Sequence, residues 1–138
     1  MPLMPPVQIV QTMQQAGFPL TVAVTMTAIA LRESGGDPAA FNGNAYTGDR
    51  SYGLLQINMR SPEVAALIRS KIPAVAKKEG ALLDPLINAR AGFLLYGGDV
   101  RNLNVAWYID KPIYQQRYEA HLPIAQAAAL EVLLMGAT

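Results

Sequence analysis

Residues 28–58, AIALRESGGDPAAFNGNAYTGDRSYGLLQIN, join an apolar helix end to a polar loop and then to a compact Gly-Leu-Leu-Gln turn, and the rest of the chain reads as support for them. Upstream, residues 19–33 (PLTVAVTMTAIALRE) are apolar almost all round, the pattern of a helix running through a core and not of one lying on a surface. Its first charges are Arg32 and Glu33. Gly35-Gly36 then supply the left-handed backbone that commonly closes a helix, which puts Glu33 in the last turn. A carboxyl there meets the negative end of the helix dipole and poor solvation beside apolar side chains, and both disfavour its ionised form. The expectation is an acid that carries its proton near neutral pH.

The flanking sequence supplies helices. Val7, Ile9, Val10 and Met13 give residues 7–16 one apolar face, consistent with a short amphipathic helix, and Pro19 starts the central one. Residues 37–52 are rich in Asn, Gly, Asp, Ser and Thr, with turn signals at Asn42-Gly43 and Gly48-Asp49. Ser61 is a helix cap with Pro62 at the first position, leading into VAALIRSKI. Asp84-Pro85 repeats the device for a helix running to Tyr96, which Gly97-Gly98 closes. Pro112 and Pro123 open two more helical stretches, the last being PIAQAAALEVLLM. The expected fold is mainly α, with six or seven helices around a central buried one and little strand. No internal repeat, low-complexity linker or domain boundary is found, so residues 1–138 read as a single domain.

Glu33-Ser34, followed after a polar loop by Gly53-Leu54-Leu55-Gln56-Ile57-Asn58, resembles the lytic transglycosylase (SLT) branch of the lysozyme-like superfamily, whose signatures are a Glu-Ser at a helix end and a Gly-Leu-Met-Gln-like turn. Neither half is specific alone; the pair is. Residues 83–92 (LDPLINARAG) are similar to the family's helix after the cleft, and Ala106-Trp107-Tyr108 lies where its third, aromatic motif is expected, so the likeness spans about residues 15–122. It implies an α+β lysozyme-like fold in which the 37–52 segment is a small hairpin or loop lining the cleft. It also implies cleavage of peptidoglycan glycan strands between N-acetylmuramic acid and N-acetylglucosamine, as in cell-wall-degrading domains of phage type.

The resemblance assigns Glu33 as general acid and base, in preference to an ordinary surface glutamate. Glycosidic cleavage needs a proton delivered to the leaving oxygen while positive charge develops on the sugar ring. In this family the muramic acid 6-hydroxyl attacks intramolecularly, the same Glu takes its proton, and a 1,6-anhydro sugar leaves. Asp49, on the far side of the loop, is the candidate second carboxylate, which would suit lysozyme chemistry; the plainer reading, turn chemistry at Gly48-Asp49, is preferred. Asp37 is likewise a cap or turn residue. Gln56, whose amide both donates and accepts, is expected to hold sugar groups or the catalytic carboxylate, with Ser34 and Asn58 as lesser polar contacts. Asn58 could equally cap the segment after it, and Asn88 reads slightly more as polar packing than as cleft. Tyr52, Tyr96, Trp107, Tyr108 and Tyr114 are the aromatics to consider, with Tyr52, Trp107 and Tyr108 as substrate-binding candidates because flat rings with polar edges suit sugar faces. The family often has Ala-Tyr-Asn in the third motif, so which of Trp107 and Tyr108 replaces its tyrosine stays open.

With 11 basic against 10 acidic side chains there is no basic footprint for nucleic acid, and a mostly uncharged glycan remains a suitable partner. Cysteine is absent and histidine occurs once, at His121, read as a helix-end residue; neither a metal cluster nor a Ser-His-Asp triad has much to be built from, and no cofactor is implied. Met1, Met4, Met13 and the Ala-rich tail read as core or packing. The segment MPLMPPVQIVQTMQQAGF is a poor secretory signal, with three prolines and no Lys or Arg, and no segment is a better membrane span than core helix. Localisation is therefore left unknown, with delivery expected from a holin, a virion or a larger parent protein. Three functions follow: a lytic transglycosylase, a hydrolytic muramidase of the same fold, and a non-catalytic glycan-binding or virion structural module. Retention of Glu33 argues against the third.

Overall fold

The computed structural model describes residues 2–110 and 117–136. The expected helix at Pro112 and the ring of Tyr114 lie outside the described residues, as does Met1. Seven α-helices are found among the described residues: α1 Pro6–Ala16, α2 Leu20–Ser34, α3 Pro62–Lys71, α4 Pro73–Lys77, α5 Pro85–Tyr96, α6 Asn102–Trp107 and α7 Leu122–Gly136. Between α2 and α3 lie three short antiparallel strands, β1 Phe41–Asn44, β2 Asp49–Tyr52 and β3 Ile57–Asn58, in the order β1-β2-β3. Phe41 stands opposite Tyr52 and Tyr52 opposite Ile57. The architecture is the mainly α, α+β lysozyme-like one, with the small sheet as its β part.

Local signals set the helix ends. Gly35 and Gly97 take left-handed backbone (φ 65° and 59°) and close α2 and α5. The Ser61 hydroxyl accepts from the amide of Val64, and one Asp84 oxygen accepts from both Leu86 and Ile87, so each satisfies N–H groups that have no partner inside the helix. Within α2, Val22, Ala23, Met26, Thr27, Ala28, Ile29 and Ala30 are buried, and the Thr27 hydroxyl donates back to Ala23 O at 2.7 Å, which lets a polar residue sit in the core. Each large side chain buried here contributes about 1.5–3 kcal/mol. Helix α1 packs against α2, α5 and α7, and the amide of Met4 donates to Gly36 O at 2.8 Å, tying the start of the chain over the end of α2.

Two expectations need correction. Of the two turn signals, Gly48-Asp49 marks the end of the hairpin turn at residues 45–48, whereas Asn42-Gly43 lies inside β1. The Phe41 ring lies over Gly43, so that a Cβ there would stand 2.9 Å from Phe41 Cε2 and the exposed ring would have to move. The tail is also only half core. Ala125, Ala128 and Ala129 are buried, while Ile124, Leu130, Leu133, Leu134 and Met135 of α7 are exposed. No helix among the described residues is long and apolar enough to cross a membrane.

Candidate active site

Glu33 sits in the last turn of α2, as its position before Gly35 dictates. Its carboxyl is not an isolated acid among apolar groups. Arg32, the adjacent residue, places Nη2 2.6 Å from Glu33 Oε1, and the same nitrogen donates to Trp107 O at 2.6 Å. The Arg32 side chain is 9% exposed and that of Glu33 29%. Sequence reasoning placed the two charges at the helix end without pairing them. The signal was their adjacency, but the Trp107 carbonyl that fixes the guanidinium is 75 residues away.

The wall on which Trp107 stands belongs to a groove of about 470 Å³. It is lined on the sheet side by Asp49, Gln56, Asn58 and Arg60, and on the helical side by Leu95, Val105 and the third aromatic motif, Ala106-Trp107-Tyr108. Glu33 does not line it directly. The Arg32 bridge sets the acid beside its Trp107 wall.

The Gly-Leu-Leu-Gln turn is held from behind. Asn88 is fully buried; its Oδ1 accepts from the Leu55 amide at 2.9 Å, and its Nδ2 donates to Tyr52 O at 2.7 Å and Leu82 O at 2.8 Å. This is the packing role the sequence favoured. Gly53 (φ 72°) must be glycine both for its left-handed backbone and because a Cβ would lie 2.6 Å from Asn88 Nδ2. Trp107 is 4% exposed, and its indole N–H donates to Leu55 O at 2.7 Å. Its ring therefore braces the turn from the core, whereas Tyr108, the other ring of the third motif, is 49% exposed at the groove.

Gln56 and Tyr108 are the only non-glycine residues with positive φ among the described ones, at 51° and 52°. Such conformations cost about 1–3 kcal/mol each and persist where surrounding bonds impose them, often at functional sites. For Gln56 those bonds are visible: Nε2 donates to Gly53 O at 3.0 Å and Ala40 O at 3.3 Å, and Oε1 accepts from Asn42 Nδ2 at 2.7 Å. The amide thus ties the turn to β1 while lining the groove.

The remaining sequence candidates divide. Asn58 lies in the groove; its Oδ1 accepts from the amides of Arg50 and Arg60, which is a local cap, and its Nδ2 donates to Asp49 at 3.1 Å. Asp49 also lies in the groove, and its carboxyl is held below the ordinary range first by the Thr47 hydroxyl, at 2.6 Å, and then by the Asn58 amide. Ser34 and Tyr52 are not brought to the groove. The Ser34 hydroxyl donates to Ala30 O and accepts from the amide of Gly36, so it finishes the helix. The Tyr52 hydroxyl donates to Glu79, its ring lies 4.9 Å from that of Phe41, and burial raises its pKa. Tyr96 is core beside Phe18, and Asp37 closes a turn onto the amide of Ala39.

A family model described as a lysozyme-like domain matches residues 10–102. The chain belongs to the lysozyme-like domain family. The match takes in Glu33, the 53–58 motif and Asn88 but ends before Trp107 and Tyr108. No curated protein and no solved structure gives a match. Family membership supports a glycan-cleaving function in general, with peptidoglycan as the substrate the family implies.

Proposed function

We propose that this lysozyme-like domain is a peptidoglycan lytic transglycosylase, cleaving the β-1,4 bond between N-acetylmuramic acid and N-acetylglucosamine with formation of 1,6-anhydromuramic acid. One observation carries the reading: a carboxyl at the end of a buried helix is fixed, through Arg32, to the wall of a groove whose polar lining includes Asp49, Gln56, Asn58, Arg60 and Tyr108. Glu33 gives its proton to the glycosidic oxygen as the C1–O bond breaks, and positive charge develops on the muramyl ring. The Glu33 carboxylate then accepts the proton of the muramyl 6-hydroxyl as O6 closes on C1, so the acid is regenerated without water. Tyr108 offers a flat ring to a sugar face, and Gln56 and Asn58 present amides along the groove.

The hydrolytic muramidase is the second reading, favoured by the single fact that Asp49 is kept ionised inside the same groove. The test common to both is Glu33→Gln, which keeps the shape of the side chain and cannot transfer the proton. A loss of about 10²-fold or more in murein lysis is expected for removal of a general acid. Activity within a few-fold of wild type, with unchanged circular dichroism, would overturn the assignment of Glu33.

A further inference from the structure

Arg60 is the only cationic residue among the described residues that line the groove. It stands between β3 and α3, and its side chain is 59% exposed. Its one ion pair among the described residues is loose: Nη1 lies 3.6 Å from Asp49 Oδ1, longer than a direct hydrogen bond. Asp49 has closer partners than Arg60: its Oδ2 accepts from the Thr47 hydroxyl at 2.6 Å and its Oδ1 from the Asn58 amide at 3.1 Å. The position of Arg60 is nevertheless defined, because its backbone amide donates to Asn58 Oδ1 at 3.0 Å. The groove thus contains a guanidinium, with donors not engaged at hydrogen-bond distance by Asp49, on a backbone held by the Asn58 side chain. The rest of the lining is neutral apart from Asp49.

We propose that Arg60 is a carboxylate-binding position that makes the groove select anionic glycans, those bearing an acid on the sugar, over neutral ones of the same backbone. A fork of N–H donors matches a carboxylate in shape as well as charge. A neutral glycan leaves this guanidinium facing water and gains nothing from it. The inference rests on the groove being the glycan site of the proposed function, and it adds the substrate feature that this site reads.

The experiment compares two probes: a muramic-acid-containing tetrasaccharide with free lactyl carboxylates, and the same tetrasaccharide with those carboxylates reduced to alcohols. Binding is measured by calorimetry to the full chain carrying Glu33→Gln, so that neither probe is consumed. The acid form is expected to bind about five- to tenfold more tightly than the reduced form, the size of one charge-assisted hydrogen bond at a half-exposed site. Adding Arg60→Gln brings the ratio to about one, Arg60→Lys leaves it between, and raising the salt concentration lowers it only where the cation is present. Equal binding of the two probes before Arg60 is changed, or a ratio that survives Arg60→Gln, overturns the inference while leaving the glycan site in place. Binding of neither probe removes the glycan site and this inference together.

Discussion

The turn at residues 53–56 and the hairpin beside it border the same groove, yet the first is held by buried side chains and the second by exposed ones. Behind the turn, Asn88 and the Trp107 indole each bond to the Leu55 backbone from positions shut off from solvent. Along the hairpin, Thr47, Asn58 and the Arg50–Glu79 pair do the equivalent work at or near the surface. A buried bond has no water to replace it, so its loss costs the full desolvation of the partners; an exposed one is exchanged for hydration. The difference implies a rigid floor, to which Arg32 anchors the Glu33 carboxyl through the Trp107 carbonyl, and a rim that can adjust to what is bound.

The strongest way to break this contrast is to remove Asn88. Asn88→Ala strips partners from the Leu55 amide and from the carbonyls of Tyr52 and Leu82. At roughly 1–3 kcal/mol for each buried group left unpaired, a destabilisation of about 3 kcal/mol or more is expected, seen as a lower urea midpoint at unchanged slope. A loss below about 1 kcal/mol would mean that the turn is not held from behind and that floor and rim do not differ.

A smaller effect is expected on the hairpin side, from Glu79. Hydrogen bonds from Arg50 foremost, helped by the Tyr52 hydroxyl and the charges of Arg50 and Arg69 and opposed by partial burial, bring its carboxyl down from 4.5 to about 2. A depressed folded-state value means that the stabilisation is fully present above the ordinary carboxylate pKa of 4.5 and is lost as pH falls from there towards about 2. Allowing for solvent screening of the half-exposed arginines, about 1 kcal/mol is at stake. Urea midpoints at about pH 6 and about pH 3 should therefore differ more in the wild type than in Glu79→Gln. Equal pH dependence in the two proteins would show that the network does not hold the hairpin.

What was legible in the sequence follows the same division between near and far. Ser61, Asp84, Gly35 and Gly97 act on backbone within a few residues, so the ends of α2, α3 and α5 could be read directly. Glu33 could be placed for the same reason. Of the two turn signals, Gly48-Asp49 marks the hairpin turn, whereas the signature of Asn42-Gly43 is overridden by the strand pairing. Arg32 with Trp107, Leu55 with Asn88 and Arg50 with Glu79 are 75, 33 and 29 residues apart, and no local pattern announces such pairs. Trp107 shows what that distance hides. A tryptophan in an aromatic motif suits a sugar, and only the Leu55 carbonyl that receives its N–H places the ring in the core.

The smallest effect is expected at Asp49, and it decides the chemistry. A hydrolase needs water activated or a glycosyl intermediate held, which generally calls for a second carboxylate opposite the acid. A transglycosylase has its nucleophile already tethered in the substrate, where the effective concentration of the 6-hydroxyl is high. Asp49 is ionised and lies in the groove, so it is available for either outcome, but it stands on the adjustable rim among partners that water can replace. Asp49→Asn keeps one oxygen that can accept from Thr47 or Asn58, and removes the charge together with the second acceptor. Lysis within about threefold of wild type is expected, with wild-type products ending in 1,6-anhydromuramic acid by mass spectrometry. Free reducing ends carrying oxygen from labelled water, together with a folded but inactive Asp49→Asn, would instead make Asp49 a working partner of Glu33. The domain would then be a muramidase, and the rim would be as rigid in function as the floor.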